Sequence, residues 1–281
     1  MKACASGGAA SHSEVDAGYI YASDDLGSRS TRGLLGIAYP VLRSRDHNLS
    51  LYGKLDVINQ RQDYGDVRNF DDRLRVLRFG TEYYLNDSLD GQNAITAELS
   101  RGLDILGASD GQYGGQSRQP SRADGHVAFT KLTLNASRRQ KLGDKWAVLL
   151  SLSGQKSDER LLSNEEYYLG GAQFGRAFDS GEISGDDGAA ALVELQYGEF
   201  LSWKYLDSYQ VYGYYDFGIV WETSVTDFNG RTSLSSAGGG LRLGFTKSVY
   251  GGVEVAKPLN RVVANEGDKG PRVFFYLLGK Y

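Results

Sequence analysis

Cysteine, methionine, histidine and proline are nearly missing from this 281-residue chain, which holds one Cys, one Met, three His and four Pro. A lone Cys4 cannot close an intrachain disulfide. His12, His47 and His126 have no metal-ligand spacing, and with no cysteine pair beside them no zinc or other metal site is expected. No Gly-x-Ser-x-Gly elbow, phosphate-binding loop or dinucleotide fingerprint occurs, so neither a cofactor nor a catalytic residue is expected. Ser137 or Ser151 with His126 could be imagined as a nucleophile and base, but nothing in the sequence singles them out. The net charge of −4 with no basic run gives no reason to expect nucleic acid. No run of about 18 apolar residues exists, which excludes a transmembrane helix but not a barrel, whose lipid-facing and lumen-facing residues average out. Residues 1–13 carry one Lys and no apolar stretch, so they are no signal peptide. They read as a disordered or non-native leader, with the folded unit over 14–281.

Glycine (37) and tyrosine (19) are plentiful. The dominant local pattern is period two. Leu132 and Leu134 alternate with Lys131, Thr133 and Asn135. Val148, Leu150 and Leu152 alternate with Ala147, Ser151 and Ser153. A 3.6-residue period fits neither run. About twelve such segments, many near the ten residues a tilted membrane strand needs, are predicted at 14–23, 32–42, 48–62, 71–86, 92–105, 125–138, 144–157, 188–200, 208–222, 231–246, 249–258 and 271–281. Short turns such as 142–144 contrast with long polar connections at 107–124, 158–187 and 259–270. The fold class expected is all-β, an antiparallel transmembrane β-barrel in a bacterial outer membrane.

The last segment places Val273, Phe275, Leu277 and the terminal Tyr281 on one face. This resembles the C-terminal signature of outer-membrane proteins, with Phe275 and Tyr281 as its aromatic positions. Tyr19, Tyr21, Tyr83, Tyr84, Trp146, Tyr167, Tyr168, Trp203 and Trp221 lie near strand ends and fit an aromatic girdle. Gly238-Gly239-Gly240 precedes a strand and reads as glycine at a tight contact.

The connection at 158–187 is long for a hairpin, and loops of that length are commonly functional. It contains Gly170-Gly171, then Gly175-Arg176-Ala177-Phe178, then Ser184-Gly185-Asp186-Asp187-Gly188. These resemble, in order, the signature of the sixth extracellular loop of two-partner secretion transporters, the haemolysin activation/secretion (ShlB/FhaC-like, TpsB) branch of the Omp85 superfamily. Similarity extends to 39–45, 73–78, 102–106 and 254–259. Ala177 stands where the family has glycine; alanine is penalised at positive φ, so a looser loop tip is expected.

The resemblance implies a sixteen-strand barrel, of which about twelve strands are represented here, the first strands and the periplasmic POTRA domains being absent. It also implies a loop folded into the lumen, its Arg paired with an acidic residue on an inward strand face. On the strand 208–222, Gln210, Tyr212, Tyr214 and Asp216 form the more polar face. Tyr214-Tyr215-Asp216 matches the family's aromatic-x-Asp element, so Asp216 is the expected partner of Arg176, with Glu194 the alternative or additional one. An Arg–carboxylate pair there would be directional and little screened. The function implied is export of a large exoprotein through a pore plugged or gated by this loop. The partners are that exoprotein, the lipid bilayer and the outer-membrane assembly machinery. Two other readings stay open: an Omp85-type assembly factor, or a stand-alone twelve-strand barrel acting as a passive pore, phospholipase or protease.

Overall fold

The computed structural model describes residues 4–16, 26–108, 119–201, 203–223 and 230–280. Among them no helix is long and apolar enough to cross a membrane, which says nothing of strands. Twelve strands form one antiparallel sheet: β1 (Ala5–Asp16), β2 (Leu26–Arg43), β3 (His47–Tyr64), β4 (Val67–Asn86), β5 (Gly91–Gly102), β6 (Thr130–Lys141), β7 (Trp146–Ser157), β10 (Asp187–Phe200), β11 (Ser208–Trp221), β12 (Arg231–Thr246), β13 (Val249–Pro258) and β14 (Arg272–Gly279). They pair strictly in that order from β1 to β14. Two further strands, β8 (Tyr167–Leu169) and β9 (Ile183–Gly185), make a separate hairpin inside the long connection between β7 and β10.

The period-two pattern decides which way each strand faces. On β10, Ala190, Leu192, Glu194 and Gln196 are buried while Ala191, Val193 and Leu195 are exposed. On β11, Tyr212, Tyr214, Asp216 and Val220 are buried while Val211, Tyr215 and Phe217 are exposed. Leu132, Leu134, Leu150, Leu152, Val253 and Val255 join the exposed apolar face. A continuous apolar outside around a polar inside is the arrangement a lipid environment demands of a barrel wall.

The wall is strongly curved. One cavity of about 650 Å³ is lined at once by Arg139 of β6 and Tyr276 of β14, which a flat sheet at about 4.8 Å per strand would hold about 29 Å apart. Short turns at 44–46, 142–145 and 247–248 gather at one end, and the long connections leave from the other.

Several boundaries differ from expectation, β2 starting at Leu26 rather than 32 and β4 at Val67 rather than 71 among them. Residues 5–13, read as an unstructured leader, belong to β1, which pairs with β2 from Ala5↔Ala38 to Asp16↔Gly27. Its residues 5–13 are nearly all Ala, Ser and Gly and carry no alternation to read; the backbone ladder places the strand, with side-chain contacts from His12 to Thr31 and from Arg29 to Glu14. The expected strand 14–23 is correspondingly cut short, and residues 17–23 lie outside the described part. β5 stops at Gly102 rather than 105, and β6 starts at Thr130 rather than 125. Between them the chain turns inward, Gly102 donating its N–H to the carbonyl of Phe129 at 2.8 Å. Val127 and Phe129 join Ile58, Leu74, Val76, Leu161 and Leu162 in a buried cluster. Burial of that apolar pair outweighs continuing the ladder.

The girdle reading is mixed. Tyr84, Trp146 and Trp203 are well exposed. Tyr167 is not a girdle residue: it is buried in β8 and occupies the space left by Gly188. Tyr168 donates its hydroxyl to the carbonyl of Ser163. Phe275 is exposed on the outer face of β14; Tyr19, Tyr21 and Tyr281 lie outside the described residues.

Candidate functional site

The long connection between β7 and β10 enters on a short 3-10 turn, Ser163–Glu165, forms the β8–β9 hairpin, and projects a tip over 170–182. Four glycines of the tip have positive φ, and two of them show why glycine is needed. Gly170 has φ +115, and Gly175 has φ +77 with Leu234 so close that an added Cβ would sit 2.7 Å from its Cδ1. Gly170 N–H donates to the Phe174 carbonyl at 3.1 Å, and Phe178 N–H to the Gly175 carbonyl at 2.8 Å, closing the tip into tight turns. Gly185 and Gly188 leave no room for side chains: Gly185 lies against the backbone of Trp221, and Gly188 under Tyr167.

The looser tip expected from Ala177 is not found. Ala177 is absent from the described non-glycine residues with positive φ, so its Cβ meets no left-handed penalty there. The residue is fully buried, its N–H facing Ser236 Oγ at 3.4 Å and its carbonyl accepting from Arg272 at 3.0 Å. Beside it Phe178 is buried in an apolar cluster with Leu169, Ile183, Val220, Leu234 and Val263.

Arg176 carries the charge of the tip. Its Nη1 donates to Glu194 Oε2 on β10 at 2.7 Å and lies 3.4 Å from Glu254 Oε2 on β13. The guanidinium sits over the ring of Tyr214, 4.5 Å from its centroid. Arg242 on β12 completes the cluster, donating to both oxygens of Glu194 at 2.7 and 3.1 Å and covering the ring of Tyr212 at 3.7 Å. Glu254 in turn accepts the hydroxyls of Tyr212 at 2.6 Å and Tyr214 at 3.1 Å. Both rings have space because residues 238 and 240 are glycine; a Cβ there would lie 2.7 Å from the Tyr214 oxygen and 2.6 Å from the Tyr212 oxygen.

Asp216, the first choice for the guanidinium, does something else. Its Oδ2 accepts the backbone N–H of Arg176 at 3.1 Å, and its Oδ1 accepts the N–H and hydroxyl of Ser236 at 3.1 and 2.6 Å. Asp216 thus grips the tip's backbone while Glu194, the second choice, takes the side chain. The reason is height along the wall: Asp216 stands opposite Leu192, two residues nearer the loop end than Glu194, and the extended Arg reaches past it. Asp186, of the Ser-Gly-Asp stretch, lies apart from this cluster. It accepts Arg122 at 2.5 Å and the N–H groups of Leu161 and Thr223 at 2.8 and 2.7 Å, tying three connections together. Arg122 lies in a connection rather than a strand. Burial pulls its guanidinium down, and the hydrogen bond to Asp186 with Glu166 nearby raises it above its ordinary range.

Arg242, Glu254, Ser236 and Tyr212 are residues of the cluster that were not singled out as its members from the sequence. The signal for the two charges was present: each stands between two apolar residues, Leu241 and Leu243 or Val253 and Val255, as Glu194 stands between Val193 and Leu195. The imagined catalytic set does not assemble. Ser137 lies seven residues beyond the start of β6, about 24 Å along the strand, while His126 precedes that start and forms a bridge with Leu161. Among the described residues no group of three His, Cys, Asp or Glu could hold a metal.

Comparison with known proteins gives a consistent answer. The family model described as haemolysin secretion/activation protein ShlB/FhaC/HecB matches residues 12–243. HuxB, a heme/hemopexin transporter protein of Haemophilus influenzae, is 27% identical over 205 residues, 71% of this chain and 33% of HuxB. Among solved structures, CdiB from Escherichia coli superposes with a TM-score of 0.72 at 22% identity, over 90% of this chain and 46% of that one. CdiB from Acinetobacter baumannii gives 0.69 at 20%, over 98% and 47%. BamA from Haemophilus ducreyi lacking POTRA domains 1–3 gives 0.65 at 15%, over 98% and 59%. The chain spans about a third of the curated relative's length and about half of either CdiB structure.

Proposed function

This chain belongs to the haemolysin secretion/activation family ShlB/FhaC/HecB and is an outer-membrane β-barrel of the Omp85 superfamily; on that premise we propose that it passes an unfolded, secreted exoprotein through its lumen, with the connection 158–187 as the gate. The observation that carries the gate is the seating of Arg176, 11% exposed, between Glu194 and Glu254 on the inner wall. A loop held there occupies the space a polypeptide needs. The burial of Phe178 in its apolar cluster sets the resting state as closed. Ion pairs suit the other half of the task, because separated charges find water as a loop withdraws, whereas an apolar seal has no such partner.

Beside the tip lies a cavity of about 410 Å³ lined by Thr96, Asn135, Ser137, Ser151, Gln173 and Arg176, among others. Its strand-borne residues are uncharged, Thr96, Asn135, Ser137 and Ser151 offering hydrogen bonds beside Ala94, Ala136, Leu152 and Leu192, which suits an extended chain of varied sequence because none selects for side-chain charge. The reading assigns no catalytic residue and needs no cofactor. Secretion, rather than assembly of other membrane proteins, is the version favoured by the family match.

Arg176→Ala tests it in cells that express the transporter with its exoprotein. The variant should insert normally, shown by heat-modifiable migration on gels, while exoprotein recovered from the medium falls at least about tenfold, the equivalent of 1.4 kcal/mol. The reason is that a tip without its seat stays in the lumen with no fixed closed position from which the exoprotein can displace it. Undiminished secretion by an inserted variant would overturn the gate.

A further inference from the structure

The same connection has a second charged foot. Glu165, at its root, is 1% exposed and faces the opposite side of the wall. Arg78 of β4 donates to both its carboxylate oxygens, at 2.5 and 3.2 Å. Lys131 of β6 lies 2.8 Å from Oε2 and also donates to the Glu165 carbonyl at 2.8 Å. Gln155 of β7 donates to that carbonyl at 3.0 Å. Around them stand Asp56, which meets Arg78 at 3.4 Å and also Arg32, and Glu98, 3.6 Å from Arg78.

The charge balance of this cluster is informative. The wall itself supplies three cations, Arg32, Arg78 and Lys131, against two carboxylates, Asp56 and Glu98. Glu165 makes them equal. At the tip the guanidinium-contacting set runs the other way: the wall supplies Glu194 and Glu254 against Arg242, and Arg176 makes them equal. Within each contact set the wall is therefore one charge short, of opposite sign, and one loop residue fills each gap; Asp216, whose oxygens are taken by the Arg176 N–H and by Ser236, stands outside the tip set. A buried charge left without its partner is strongly unfavourable, so each wall patch favours the loop in place.

We propose that Glu165 is a positioning residue, a second latch that fixes the loop root on the β4–β6 wall, so that release of Arg176 alone swings only the tip and wide opening requires the Glu165 pairs to break as well. The proposal rests on the gate reading above. Burial pushes the Glu165 carboxyl up, but Lys131 and Arg78 pull it down further, below the ordinary carboxylate range, so it remains an anion at neutral pH.

The test uses the full-length protein in planar bilayers, with no exoprotein, and reads open probability; vancomycin entry into cells is the parallel readout. Glu165→Gln should raise open probability by about tenfold, and Glu165→Lys by more. Glu165→Lys combined with Lys131→Glu, which restores opposite charges, should return it to within about twofold of the parent. Folded Glu165 variants with parental open probability overturn the latch. So does a double variant as leaky as Glu165→Lys, which would mark general disruption rather than a lost ion pair. Should the Glu165 variants fail to insert, Lys131→Gln breaks the latch from the wall side and must give the same opening, or the latch is overturned. The two readings fail separately. If Arg176→Ala stops secretion while open probability ignores Glu165, only the latch falls. If Arg176→Ala leaves secretion intact, the gate falls whatever Glu165 does.

Discussion

Glu194 is where the geometry makes its sharpest quantitative demand. Glu194→Gln keeps the shape of the side chain and removes its charge, leaving Arg176 with Glu254 and Arg242 with Gln210 and the Tyr212 ring. Removing one partner of a buried ion pair costs about 3–5 kcal/mol. Two facts lower the figure: Arg242 is 31% exposed, so lumen water screens it, and Glu254 remains 3.4 Å from Arg176. About 3 kcal/mol is the expected loss for the single variant, read as the urea midpoint in lipid vesicles at unchanged slope. A double-mutant cycle isolates the pair. Glu194→Gln with Arg176→Met should show a coupling of about 2 kcal/mol, well above the 0.3–0.5 kcal/mol by which independent sites depart from additivity.

The discriminating comparison is the same cycle at Asp216. Asp216→Asn leaves the guanidinium's partners untouched and disturbs backbone and Ser236 hydrogen bonds, so it should be costly alone, about 1–3 kcal/mol, yet couple to Arg176→Met by less than about 1 kcal/mol. Coupling below about 0.5 kcal/mol at Glu194, or stronger coupling at Asp216 than at Glu194, would refute the assignment of roles.

Three further outcomes follow from the tip. Gly175→Ala meets both a positive φ and Leu234, and should cost about 2 kcal/mol, seen as faster trypsin cleavage of the loop and reduced secretion. Ala177→Gly should bring no gain, and should lower stability by about 0.5 kcal/mol through unfolded-chain entropy; a more stable or more active variant would show that the family's glycine is needed here. Asp179 sits in the tip, where the hydrogen bond from Arg272 holds its carboxyl below the ordinary range against a small opposing effect of burial. A depressed carboxylate stabilises above its unfolded pKa, about 3.9, and that contribution fades as pH falls through the folded value. Protease protection of the tip should therefore weaken on acidification below about pH 4, and Asp179→Asn should show the weakened protection already at neutral pH.

The barrel wall was legible because lipid and lumen impose a strict alternation, and alternation survives in sequence. Residue 194 could be read as inward simply because Val193 and Leu195 flank it. What alternation does not encode is height. Asp216 and Glu194 both face inward, and choosing between them needed the register of β10 against β11 and the reach of the Arg side chain, neither of which is written locally. Residues 5–13 of β1 were missed for a related reason: apart from His12 they are Ala, Ser and Gly, which have too little side chain to declare a face. The inward course of 125–129 was missed because Val127 and Phe129 alternate as a strand would, while their partners, Leu161 and Leu162, lie in another connection. Local pattern identifies which faces are buried; it does not identify against what.

The same limit explains why Glu165 drew no attention as a single residue. A Glu in a polar connection reads as solvated, and only the excess of cations on β2, β4 and β6 gives it meaning. That excess is itself an argument about design. Apolar residues at Arg78, Lys131 and Glu165 could pack this wall at least as stably, since buried ion pairs contribute little net stability over well-packed apolar replacements. They would not discriminate between loop positions, because an apolar patch accepts any apolar neighbour. A wall lacking one negative charge on one side and one positive charge on the other accepts this loop in one orientation only, and presents charged, wettable surfaces when it leaves.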